Sequence, residues 1–402
     1  MISRKNLHPL LIYISFITLS AYFLFYLTNF QELIPLSNYM IVIGFGFAML
    51  AFVFSESFNL VRIISFASVS MIIIGTIFYY KIFSAPGQVN LDYTLLYALI
   101  FTTAMGAVDV KKLLKISLVL QVILIIVTSV SFFLKIIPNT TLNRDGILRQ
   151  SLGFSHPNIL GLIMMCVTIE ILYLFSKKIR WFHLTILGLL NIGTYFITFS
   201  RTSLICTILF IILFVLNEKT ELLQKSYAKI TLLLSVPITF ILGVLPAILY
   251  KDSKFYNLLN DVLANRLIQG HYYIEKYGIS IFGQPMPLSI EIMNPKTNWM
   301  EHWVVDSAYL RILIQHGILV LFIAFLFVAV KSTLFARRDM MIELSIVVVG
   351  LLYGVFERYA YNLFIYPPSI LLFILLPFNG RNIWSQFVIN NPLIQPKKKE
   401  LG

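Results

Sequence analysis

The sequence predicts an all-α polytopic membrane protein of about twelve transmembrane helices. Three observations predict it. Hydrophobic residues make up 58% of the 402 residues and charged residues only 12%, where a soluble domain carries about 25% charged residues. Apolar runs of the length a spanning helix needs, roughly 17–25 residues, recur along the chain. The basic residues fall in alternate loops between those runs, as the positive-inside rule requires.

The spans are expected near residues 9–29, 36–54, 63–80, 91–108, 113–134, 157–175, 182–199, 202–217, 230–250, 309–330, 342–356 and 362–378. The first follows the basic start Arg4-Lys5 and no small-residue cleavage site follows it, so it reads as an uncleaved span and not a signal peptide. One set of loops carries Arg4/Lys5, Arg62, Lys111/Lys112/Lys115, Lys177/Lys178/Arg180, Lys219/Lys225/Lys229, Arg337/Arg338 and Lys397–Lys399. That set is cytoplasmic by the charge rule, which puts both termini in the cytoplasm. The net charge of +13 therefore needs no nucleic acid to explain it. Cys166 and Cys206 lie in apolar segments, so no disulfide framework is implied. No internal repeat is visible, and residues 1–402 read as a single integral membrane domain. The opposite loops hold single arginines: Arg144, Arg149, Arg201, Arg266 and Arg358. The longest of them, 251–308 between spans nine and ten, keeps aromatic and apolar residues and is expected to form a folded outer lid with short helices.

The spans on either side of "SRT", 200–202, are short. At 1.5 Å per residue each reaches roughly 24–27 Å, less than the roughly 30 Å hydrocarbon core. Arg201 is then expected below the outer membrane surface, either snorkelling to headgroups or binding an anion in a cavity open to the outside. Arg149 precedes "SHPN", 155–158, where the helix opened by Pro157 begins. Ser155, Pro157 and Asn158 are ordinary helix-start residues, and a helix start is also a ready anion site. Arg149, Arg201 and Arg266 fall on one side, and arginine forks suit phosphate. Together they point to a lipid-linked phosphate or pyrophosphate at the outer leaflet.

Asp306 stands just before span ten, followed by Tyr309 and His316. It reads either as the N-cap of that helix or as a general base or orienting group for an acceptor hydroxyl. His316 reads as a satisfied polar residue of the bundle or as an acceptor-orienting group. His302, His156 and Glu357 are further candidates. The histidines are scattered, with no HxxH, HExxH or DxD pair, and there is no P-loop or G-x-G-x-x-G. Metal-dependent and nucleotide-driven chemistry are therefore not expected, nor is any cofactor.

"RQSLGFSHPNILG", "TFSRTS", Asn265-Arg266 in the long loop and "DSAYLRILIQHGIL" together resemble the O-antigen polymerase and ligase superfamily. The resemblance covers about residues 140–320 and is closest to the Wzy-type polymerases of capsular or exopolysaccharide repeat units in Gram-positive bacteria. It implies a metal-independent glycosyltransferase of the GT-C type in the bacterial cytoplasmic membrane. Its donor and acceptor would be oligosaccharides on undecaprenyl pyrophosphate, with a flippase and a chain-length regulator as partners. Family arginines at positions matching Arg149 and Arg201, and more loosely Arg266, contact the pyrophosphate. Related ligases carry a His-Asn pair where this chain has Asp306-Ser307, which leaves the base open and favours polymerase over ligase. His156, Asn158, Tyr309, His316 and His302 then read as acceptor or orienting residues. A ligase, a polysaccharide flippase or exporter, and a structural membrane protein are the alternatives.

Overall fold

The computed structural model describes residues 4–33, 39–55, 94–106, 108–144, 146–263, 265–287, 289–293 and 300–373. The chain is an all-α membrane protein: among these residues seven helices are long and apolar enough to cross a bilayer. Six of them are α1 (Arg4–Phe25), α4 (Val110–Phe133), α5 (Pro157–Leu174), α6 (Trp181–Thr198), α7 (Arg201–Glu218) and α8 (Ser226–Ile248). The seventh is α11 (Ala308–Arg337). Three shorter apolar helices accompany them: α2 (Tyr39–Val53), α3 (Thr94–Met105) and α12 (Met341–Phe356). The only strands among the described residues form two hairpins, β1 (Thr141–Arg144) with β2 (Ile147–Gln150) and β3 (Ser289–Met293) with β4 (Met300–Val304).

The expected span at 63–80 lies outside the described residues. The one expected at 362–378 is corrected over its described part. Residues 358–361 and 367–369 form 3-10 turns, and only Ile370–Phe373 is α-helical. Pro367 and Pro368 have no N–H to donate and disfavour the α conformation of the residue before them, so the run is not helical from 362 and its α-helix opens only after them, at Ile370. Between α8 and α11 the chain makes two amphipathic helices, α9 (Lys254–Val262) and α10 (Arg266–Tyr277), and the β3–β4 hairpin.

Helix α5 is apolar apart from Asn158, Thr168 and Glu170 and is buried on nearly every face, the signature of a helix enclosed by others. Gly161 lets α7 approach it closely: a Cβ there would lie 2.7 Å from that of Ser200. The exposed apolar faces belong to the helices around it, as at Phe182 and Leu189 of α6 or Ile212 of α7. Some polar groups inside the bundle are paired with one another, which lowers the cost of placing them where no water competes. Asn191 of α6 donates to Thr168 Oγ1 at 2.7 Å and accepts from Thr207 Oγ1.

Successive helices run alternately, so the start of α5, the end of α6, the start of α7, the end of α8, the start of α11 and the end of α12 share one end of the bundle. Lys177, Lys178, Lys219, Lys225, Arg337 and Arg338 lie in the turns at the other end.

Helix α11 is not continuous. Gly317 has φ 86° and ψ 172°, breaking it after two turns. The loop 278–284 packs into the break. Gln284 N donates to Ile314 O, while Ile318 N and Leu319 N donate to Ser280 O and Ile281 O. Three of the groups freed by the break are thereby satisfied by one neighbouring loop.

Candidate functional site

The site is built from the helix ends that share one end of the bundle. At the start of α5, His156 is the N-cap and its Nδ1 accepts from Asn158 N at 3.1 Å. Pro157 occupies the first helical position, where its missing N–H leaves nothing unpaired. The Asn158 side chain points back across the helix start. Its Oδ1 accepts from Arg149 on β2, and its Nδ2 donates to Glu357 Oε1 at 3.0 Å. Arg149, only 6% exposed, also donates through Nε to Thr198 O at the end of α6, 2.8 Å away.

Glu357 follows the last residue of α12 and is 4% exposed. Its Oε1 takes a second donor, Arg266 at the start of α10, at 2.9 Å. Arg266 Nε lies 3.3 Å from Asp306 Oδ2. Asp306 is thus an ion-pair partner, and the capping role falls to Ser307, whose hydroxyl accepts from Leu310 N and donates to Gly243 O of α8. Arg358 completes the cluster, its guanidinium donating to Tyr359 Oη at 3.1 Å and lying over that ring.

Three guanidinium groups, Arg149, Arg266 and Arg358, therefore face two carboxyls, Glu357 and Asp306, around one amide. Burial and then the nearby Arg149 push His156 down to about 4, so its ring is neutral, as a nitrogen accepting from a backbone N–H must be. Burial pushes Glu357 up to about 7 even though Arg266 pulls the other way, with Asp306 adding to the rise.

These two shifts oppose each other in stability. Between about 4 and 6.5 the unfolded chain holds a proton on His156 that the folded chain lacks, so stability rises with pH. Between 4.5 and about 7 the folded chain holds a proton on Glu357 that the unfolded chain has released, so stability falls as pH rises. Glu357→Gln removes the second slope and leaves the first. Its melting temperature in detergent is expected to climb more steeply than the wild type's from about pH 4.5 to 6.5. Parallel profiles would refute the assignment.

Of the residues singled out in the sequence, Arg149, His156, Asn158, Arg266 and Asp306 meet here. Arg201 opens α7 three residues after Thr198, at the same end. Its side chain is exposed and makes no hydrogen bond or ion pair among the described residues. Tyr309 is buried. Its hydroxyl donates to Leu351 O at 2.8 Å and its ring packs on Phe240. His316 is half-buried beside the break at Gly317. His302 lies in β4 opposite Glu291, with its side chain outside the described residues. Sequence reasoning gave Glu357 only a minor place and Arg358 no role beyond its side of the membrane. Their adjacency directly after an apolar run was the available signal. Among the described residues no group of His, Cys, Asp or Glu could hold a metal ion.

A cavity of about 250 Å³ lies beside the cluster, between α3, α8, α11 and α12. Its walls are almost wholly apolar, with Leu95, Phe240, Ile323, Phe327 and Leu351 among them. Ala308 on one wall follows Asp306 by two residues, and Gly354 and Ala360 on another bracket Glu357-Arg358. The arrangement offers cations for an anionic group, carboxyls for a hydroxyl and an apolar slot at their side. The chain matches no protein-family model, no curated protein and no solved structure, so these side chains carry the functional argument by themselves.

Proposed function

We propose that this protein is a membrane glycosyltransferase that joins oligosaccharide repeat units carried on undecaprenyl pyrophosphate, a polysaccharide polymerase of the O-antigen and capsule type. The observation that carries the reading is the pairing of a partly buried arginine cluster with an apolar cavity at its side. A lipid-linked pyrophosphate needs both a multi-arginine anion site and a greasy slot. The basic turns at the far end of the bundle support an orientation with that end in the cytoplasm and the site at the outer leaflet.

In this reaction the acceptor sugar's hydroxyl oxygen bonds to the donor's anomeric carbon, and the bond from that carbon to the pyrophosphate breaks. Negative charge gathers on the departing pyrophosphate. Arg149, Arg266, Arg358 and the unpaired Arg201 oppose that charge, stabilising the transition state more than the ground state. Pyrophosphate leaves without a general acid. Asp306, paired to Arg266 yet partly exposed, takes the acceptor's proton. Before substrate arrives, Glu357 holds Arg266 and Asn158 in place of an external anion.

One observation favours a second reading. A discontinuous helix such as α11, broken at Gly317, is a feature of transporters, which would make the protein an exporter of the same lipid-linked glycans. Gene deletion followed by mass profiling of lipid-linked glycans separates the possibilities. Single repeats accumulating at the outer leaflet, with surface polymer lost, are the expected result. Repeats confined to the inner leaflet would mean an exporter, and long polymer still on its lipid a ligase. Unchanged pools would end the glycan reading.

A further inference from the structure

Some three turns along α5 from Asn158, the bundle encloses a second carboxyl that the proposed chemistry does not use. Glu170 is 1% exposed, and it sits in a helix long and apolar enough to cross the bilayer. Two neutral donors from α4 reach it. Ser117 Oγ donates to Glu170 Oε1 at 2.8 Å. Gln121 Nε2 donates to Ser117 Oγ at 2.9 Å and lies 3.4 Å from the same Oε1. Gln121 is wholly buried. Glu170 Oε2 and Gln121 Oε1 are both buried, and neither has a hydrogen-bond partner among the described residues.

No cation among the described residues pairs with Glu170. The other groups facing it are uncharged: Cys166 one turn earlier on α5, and Tyr366 beyond α12. Two charged groups around Tyr173, one turn further along α5, are engaged with that ring and its hydroxyl. Lys111 lies over the Tyr173 ring, and Glu343 accepts from the Tyr173 hydroxyl. An ionised carboxylate enclosed in apolar surroundings without a counter-charge is heavily penalised, and intramembrane acids usually mark proton or ion sites. The donors on Oε1 ease that penalty at one oxygen only.

We propose that Glu170, with Ser117 and Gln121, forms an intramembrane proton-binding site, in which the carboxyl is neutral and carries an exchangeable proton on Oε2. The ligand is a proton and not a metal cation, because the hydrogens of Ser117 and Gln121 are already directed at Oε1 and Ser117 Oγ. A metal ion would need those lone pairs turned towards it, whereas a proton needs Oε2 alone. The site is independent of the glycosyl-transfer reading.

The test is infrared difference spectroscopy of the full chain in lipid nanodiscs near neutral pH, wild type against Glu170→Gln. The wild type should show the carbonyl stretch of a protonated carboxylic acid that the variant lacks. That band should persist in Glu357→Gln and shift after exchange into heavy water. Loss of carboxylate bands instead would overturn the proposal. So would an acid band that vanishes on adding sodium, which would identify a metal occupant, or one that never shifts in heavy water. Should Glu170→Gln fail to reach the membrane, the wild type is treated with a hydrophobic carbodiimide, which adds to protonated carboxyls. A modified Glu170 peptide supports the site, and an unmodified one overturns it.

Discussion

Arg201→Ala is expected to abolish surface polymer while the amount of folded protein in the membrane stays unchanged. The side chain is exposed and has no hydrogen bond or ion pair among the described residues. Removing it takes nothing from the fold, and such substitutions usually change stability by no more than about 0.5 kcal/mol. Its loss is felt only when an anion is present. In the proposed reaction, removing one preorganised donor to developing charge lowers turnover by about 10²–10³-fold. Chain extension by the purified protein from lipid-linked repeats measures this directly. Arg201→Lys should recover part of the rate, since it restores the charge without the two-pronged geometry. Near-normal polymer from Arg201→Ala would sink the pyrophosphate-clamp reading. Arg266→Ala is a poorer probe of the same idea. It strips the cation from between Glu357 and Asp306, and breaking a buried pair in this way costs about 3–5 kcal/mol. Its loss of polymer would follow from loss of protein.

The helices of this fold are legible because a bilayer restricts their length and composition. The apolar runs at 157–175, 182–199 and 202–217 became Pro157–Leu174, Trp181–Thr198 and Arg201–Glu218. Helix starts are local chemistry, so Arg149, His156 and Asn158 could be read together from ten residues of sequence. Glu357 could not be weighed in the same way. Its importance comes from Arg266, 91 residues earlier, and no local pattern announces a partner at that distance. The run at 362–378 misled for a different reason: hydropathy averages over Pro367-Pro368 and does not register the missing donors. The break in α11 was hidden as well, because Gly317 is a single glycine in an apolar stretch and the loop that fills the break arrives from residues 278–284.

That break is where a methyl group should do the most damage. At Gly317 an added Cβ would lie 2.2 Å from Ile281 O and 2.3 Å from Gly283 N. The backbone there, φ 86° and ψ 172°, is a region that glycine alone occupies without strain. Gly317→Ala is therefore expected to expel the 278–284 loop. Conformational strain of about 1–3 kcal/mol adds to a steric clash of about the same size. Gln284 N, Ile318 N and Leu319 N would lose their partners together, and in a membrane no water replaces them. Gly283→Ala should behave alike, since its Cβ would lie 2.2 Å from Gln315 O at φ +80°. Gly193→Ala in α6 is the control: nothing lies within 4 Å of its Cβ, and alanine in a helix interior is favoured over glycine by about 0.5–1 kcal/mol. Thermal unfolding in detergent, followed by size-exclusion chromatography, should show a large loss for Gly317→Ala and Gly283→Ala and none for Gly193→Ala. Equal stability in all three would mean that α11 is continuous and that the loop does not occupy the break, removing the structural basis for the exporter reading while leaving the arginine cluster untouched.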